Sequence, residues 1–205
     1  MQNLNSIKKD ISEMAGLALK MWEETFKTFM EHDLDLLSKV LEDENKLNNF
    51  EKDIDKQLVE FTRTSAKPEE KLKVAAYAEV VGDLELIGDY CKDILERVQI
   101  KIEEKLLFSD DAVKEYEQLY QKTHDAMKEV VHAINRDDLS LVQEVLRHQQ
   151  HIDTLVDEYR QKHTERMING VCSPFACNMF LNMLDFTAAV YYHTKKIAKS
   201  LSRIK

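Results

Sequence analysis

The chain has 205 residues, only 4 of them Gly and 2 of them Pro, and helix formers such as Leu, Lys, Glu and Ala are abundant. A mostly β chain of this length needs many more turn residues, so composition predicts an all-α fold. A formal net charge of −9, with 38 acidic against 29 basic residues, repels a phosphate backbone and excludes broad nucleic-acid binding.

The first predicted helix runs from about Ser6 to His32, with Ile7, Ile11, Met14, Ala18 and Met21 on one face. Asp33 offers a cap for the second, which carries Leu37, Val40, Leu47, Ile54 and Leu58 and ends near Thr64. The stretch Ser65-Ala66-Lys67-Pro68-Glu69-Glu70 then reads as a helix start: a hydroxyl cap, an early proline and acids in the first turn. The third helix has a seam of Tyr77, Val80, Leu84, Ile87, Cys91, Ile94 and Val98, spaced three or four apart. Ser109-Asp110-Asp111 opens a fourth helix ending near Arg136, and Asp137-Asp138 opens a fifth. Asn169-Gly170 closes that one, and Ser173-Pro174 opens the sixth. Such short connections force neighbouring helices to pack antiparallel.

The two halves repeat. An offset of 105 aligns Asp33-Leu34 with Asp138-Leu139, Val40 with Val145, Leu41 with Leu146, Leu47 with Ile152 and Phe50 with Leu155. An offset of 103 pairs Ile94 with Ile197 in the third helix of each half. The expected architecture is two tandem antiparallel three-helix bundles of six long helices, residues 1–105 and 106–205.

Glu85 and Asp89 stand four apart on the third helix and therefore share a face. Two carboxylates so placed repel unless a cation sits between them, which is how such a pair holds a hard or borderline metal. The second helix brings Glu44 and Glu51, with Asp43 and Asn48 close by. Glu79 and Asp83 have the same spacing on the opposite flank of the seam, so periodicity alone does not choose between the pairs. His148 and His151 form a helical His-x-x-His on a polar face, where exposed histidines are the expected case. The odd set Cys91, Cys172 and Cys177 makes no disulfide pattern and fits a reducing cytosol. Cys172 and Cys177 are spaced too widely for a zinc knuckle of the C-x-x-C kind. No window holds the ~20 apolar residues a membrane span requires, and the N-terminus has no signal-peptide pattern. A cytoplasmic location is expected, with the basic C-terminal cluster (Lys195, Lys196, Lys199, Arg203, Lys205) matched to a helix end.

The segment Asp83-Leu84-Glu85-Leu86-Ile87-Gly88-Asp89-Tyr90 resembles the signature of the PhoU family. Leu107 through Ala112, Asp157 through Met167 and Lys196-Ile197-Ala198 are similar to the PhoU-like domain at the cytoplasmic end of sodium/phosphate cotransporters. The resemblance implies two repeated three-helix bundles, no enzymatic activity, and a regulatory adaptor role in phosphate homeostasis. The partners it implies are a phosphate transporter or a phosphate-sensing kinase at the inner membrane face, and a homo-oligomer is compatible with it. It also implies iron or zinc on a Glu-x-x-x-Asp motif in each bundle, which selects Glu85 and Asp89; spacing offers Asp43, Glu44, Asn48, Glu51 and Asp83 as further candidates.

The sequence departs from that pattern in several places. Leu86 replaces the usual Arg and Asn48 the usual Asp, and the second-bundle motif is missing, with Ala188 and Tyr192 at its positions, followed by His193. Any iron or zinc is therefore expected in the first bundle only. A carboxylate metal protein with storage or redox chemistry is the rival reading, but those bundles use paired Glu-x-x-His motifs and none occurs here.

Overall fold

The computed structural model describes residues 3–65, 67–136, 140–147 and 149–204, without the side chains of residues 65, 144 and 149–151. Its helices are α1 (Leu4–Glu31), α2 (Leu34–Ser65), α3 (Pro68–Glu103), α4 (Asp110–Arg136), α5 (Ser140–Arg147), α6 (Gln149–Ile168) and α7 (Pro174–Ser202). No strand occurs among the described residues. α5 and α6 flank His148 and together occupy the stretch expected as a fifth helix. Asp137, Asp138, His148 and Lys205 lie outside the described residues, as does the side chain of His151.

The helix ends follow local chemistry. Asn3 Oδ1 accepts from Ser6 N at 2.8 Å to start α1. Asp33 Oδ1 accepts from the Asp35 and Leu36 amides at 2.9 and 3.0 Å and caps α2 as expected. Ser109 and Ser173 cap α4 and α7 by accepting from Ala112 N at 3.3 Å and Ala176 N at 3.2 Å. α3 departs from expectation. Ser65 belongs to the end of α2, and Lys67 is the N-cap residue, its backbone N–H donating to Glu70 Oε2 at 2.9 Å. Proline at the first helical position, rather than a capping hydroxyl, sets this start.

α1, α2 and α3 pack on one another, and α4 to α7 pack on one another. α3 lies along α7 and α1 along α4, so one continuous apolar core runs through both halves. The α3 seam from Val80 to Val98 is fully buried, with Tyr77 partly so. Repeat-related positions share their environment: Val40 and Val145, Leu47 and Ile152, and Ile94 and Ile197 are buried pairs. Leu41 with Leu146 and Phe50 with Leu155 are half-buried pairs. The α1–α4 contact is aromatic, with Phe26 stacked on Tyr120 at 3.7 Å between centroids and Phe29 edge-on to Tyr116 at 4.8 Å.

Candidate metal centre

Two features of the sequence bring α2 and α3 together at the acidic segment. The first is the spacing of the α3 seam. The second is Gly88: a Cβ built there meets Leu47 Cδ2 of α2 at 2.3 Å, so the bare glycine leaves the room in which the Leu47 side chain packs on α3. Glu85 and Asp89, on the flank toward α2, face Glu44, Asn48 and Glu51. All five are at least partly shielded, Glu44 most of all.

The electrostatics are those of crowded anions. Glu85 is pushed up to about 7, first by burial, then by the charges of Asp89 and Glu51, its hydrogen bond to Asp89, and Glu44. Glu51 is raised by burial and by Asp55, with Asp89 adding to it. Asp93, one turn beyond Asp89, is raised by burial, then by Glu96, with Asp89 contributing. Lys92 reaches Glu44 at 3.7 Å and Asn48 Nδ2 donates to Glu44 Oε1 at 3.0 Å. Asn48 Oδ1 is buried with no hydrogen-bond partner. An orphaned acceptor beside raised carboxyls is a donor set that fits a cation. Beyond the Glu85–Asp89 pair the oxygens stand apart, however. The group of three or more His, Cys, Asp or Glu ligand atoms lying within 4.8 Å of one another among the described residues is elsewhere, so a cation here would have to draw further ligands inward.

Two expected ligands point away. Asp43 is buried and neutralised by Lys20 and Lys46, each at 2.6 Å. Burial acts most strongly on it in the opposite direction, yet these two lysines together hold its carboxyl below the usual range. Asp83 faces α7, where His193 Nδ1 lies at 2.8 Å and Lys196 Nζ at 2.6 Å. Glu79 on the same flank accepts from Ser200 Oγ at 2.6 Å and pairs with Arg203. The two flanks of α3 therefore differ: one gathers carboxylates, the other ties the two halves together. Ala188 is half-buried and Tyr192 exposed on α7, and neither supplies a ligand. Two residues of the basic C-terminal cluster belong to this joint. Lys196 and Arg203 pair with α3, while Lys195 is buried and lowered by that burial.

Residues 11–98 match the family model of the PhoU domain. That stretch, less than half of the chain, is similar to a PhoU domain. A PhoU homolog of Thermotoga maritima, a phosphate-specific transport system accessory protein, is 31% identical over 90 residues, 44% of this chain and 38% of that protein. A Rhizobium meliloti protein of the same description is 29% identical over 98 residues, 47% of this chain and 41% of that one. The alignments thus span about two-fifths of each curated relative. The crystal structure of PhoU from Pseudomonas aeruginosa superposes with a TM-score of 0.92 at 19% identity, covering 98% of this chain and 96% of that one. The PhoU fold therefore extends over both halves, although the family match stops within α3. No helix among the described residues is long and apolar enough to cross a membrane.

Proposed function

We propose that this chain is a PhoU-type accessory regulator of phosphate transport, acting through contact with a phosphate transporter or phosphate-sensing kinase rather than through catalysis. The observation that carries this reading is the carboxylate cluster of Glu44, Glu51, Glu85 and Asp89 inside the matched PhoU domain. Its raised Glu85 and the orphaned Asn48 oxygen suit an iron or zinc ion, for which Glu85 and Asp89 are the principal ligands and Glu44 and Glu51 the supporting ones. Asp43 and Asp83 are left out of that set because lysines and a histidine already engage them. Bound metal would relieve the anion crowding and stiffen the α2–α3 pair, which gives contact with a partner a switchable surface.

The test is elemental analysis of protein loaded with iron or zinc, beside the Glu85→Ala/Asp89→Ala variant, followed by capture from membranes holding the cognate phosphate transporter. Stoichiometric metal lost in the variant, with helicity retained, and transporter retained on the wild-type protein are the expected results. Metal that persists in the variant refutes the ligand assignment, and failure to retain any transport or kinase protein refutes the adaptor role.

A further inference from the structure

A second set of ligand-type side chains converges at the turn between α6 and α7. α6 delivers His163 five residues before its end, and Gly170, at φ +73°, lets the chain reverse. Cys172 follows in the turn, and the Ser173 cap starts α7 with Cys177 in its first turn. A ring nitrogen of His163 and the sulfurs of Cys172 and Cys177 all lie within 4.8 Å of one another. His163 and Cys177 are each 1% exposed and Cys172 is half-buried. The imidazole is clamped by stacking on Phe180 at 4.2 Å, and its Nε2 lies 3.9 Å from Cys172 Sγ.

We propose that His163, Cys172 and Cys177 form a binding site for a zinc-class divalent transition metal that staples the α6–α7 turn. Two thiolates and an imidazole are the donors such ions select, with bonds of about 2.3 Å to sulfur and about 2.0 Å to nitrogen. A tetrahedron of those bonds has edges a little under 4 Å, so a spread within 4.8 Å closes by small side-chain shifts. Four residues separate the two cysteines, within the two-to-four spacing common in zinc sites. Thiolate charge and a dication cancel, and the neighbouring Glu115–Arg166 pair is already neutral in sum. Burial and Arg166 together keep the imidazole in the neutral form a metal requires, its pKa pushed down to about 4. Arg166 donates to Nδ1 at 3.2 Å. Metal on Nε2 places the imidazole proton on Nδ1, so this contact must release. Glu115, which accepts from both guanidinium nitrogens, is then the carboxylate at hand to receive that N–H. The fourth coordination position falls to water on the half-buried side of Cys172. The site shares no residue with the carboxylate cluster, so either can fail without the other.

The test uses the full chain, reduced and stripped with chelator, titrated with cobalt(II) as a spectroscopic probe and then with zinc against a chromophoric chelator. One equivalent of cobalt should give a sulfur-to-cobalt charge-transfer band, unchanged in Glu85→Ala/Asp89→Ala and in Cys91→Ser. The band should vanish in Cys172→Ser and Cys177→Ser, and His163→Ala should weaken zinc binding by about tenfold or more. Because a buried serine can unfold the turn, alkylation of the wild-type protein gives a second readout in which zinc must protect Cys172 and Cys177. No thiolate band and no protection in folded wild-type protein overturn the proposal. So does a pair of thiols that peroxide converts to a disulfide while neither cobalt nor zinc binds.

Discussion

Glu85 carries the clearest titration consequence. Its ordinary value is 4.5 and the fold lifts it to about 7, so the folded chain holds this proton more tightly than the unfolded one. For an acid raised in this way, stability is highest below about 4.5 and falls as pH climbs through about 7. Glu85→Gln removes that loss. In metal-free protein it should leave stability at pH 5 nearly unchanged and raise it at pH 8 by about 1 kcal/mol, allowing for solvent screening of a half-buried group. Urea denaturation at the two pH values decides the matter, and equal effects at both would remove the anion crowding from the account. Spacing alone did not single out this residue; the resemblance of its segment to a family signature did. Glu85-Asp89 and Glu79-Asp83 have the same spacing on either side of one seam, and only the positions of α2 and α7 reveal which pair meets carboxylates and which meets cations. His163, Cys172 and Cys177 escaped for a related reason, since a nine-residue gap closes only after the Gly170 turn reverses the chain. The readable signal was a Cys-x4-Cys straddling a helix start with a histidine nine residues upstream.

Helices were more legible than sites. The α3 seam, the Asp33, Ser109 and Ser173 caps and the Asn169-Gly170 stop all depend on neighbours within a few residues, and each is observed. The N-cap of α3 was misplaced because Ser65 and Pro68 both carry start signals, and the proline governs. Gly88 has a role that no local rule supplies. It reads as a helix weakener, yet it makes room for the Leu47 side chain of α2 against α3. Gly88→Ala gains helix propensity of up to about 1 kcal/mol but drives a methyl group into Leu47, an overpacking cost of roughly 1–3 kcal/mol. Thermal unfolding should show a net loss of about 1–2 kcal/mol. An unchanged or higher Tm would mean that Leu47 yields freely and does not need the room the glycine leaves.

Two unlike joints unite the halves at the scale of the whole molecule: the aromatic stack between α1 and α4, and the polar clamp between α3 and α7. Asp83 is the buried centre of the clamp. Asp83→Ala leaves His193 buried without its acid and should cost about 2–3 kcal/mol, read from the urea midpoint. A loss below about 0.5 kcal/mol would place the joint's strength in the apolar contacts instead. The repeat was visible in sequence through pairs such as Leu47 with Ile152, and their matching burial shows why: both line the same kind of groove in their own half. The family match ends within α3 while the fold continues into a second half that has Ala188 and Tyr192 where the first has Glu85 and Asp89. The two halves divide the labour. The first carries the carboxylates, while the second lends His193 and Lys196 to Asp83. Neither copy is a spare for the other. Made alone, the first would present a bare aromatic flank and an unanswered acid, so the duplicated plan yields one indivisible part.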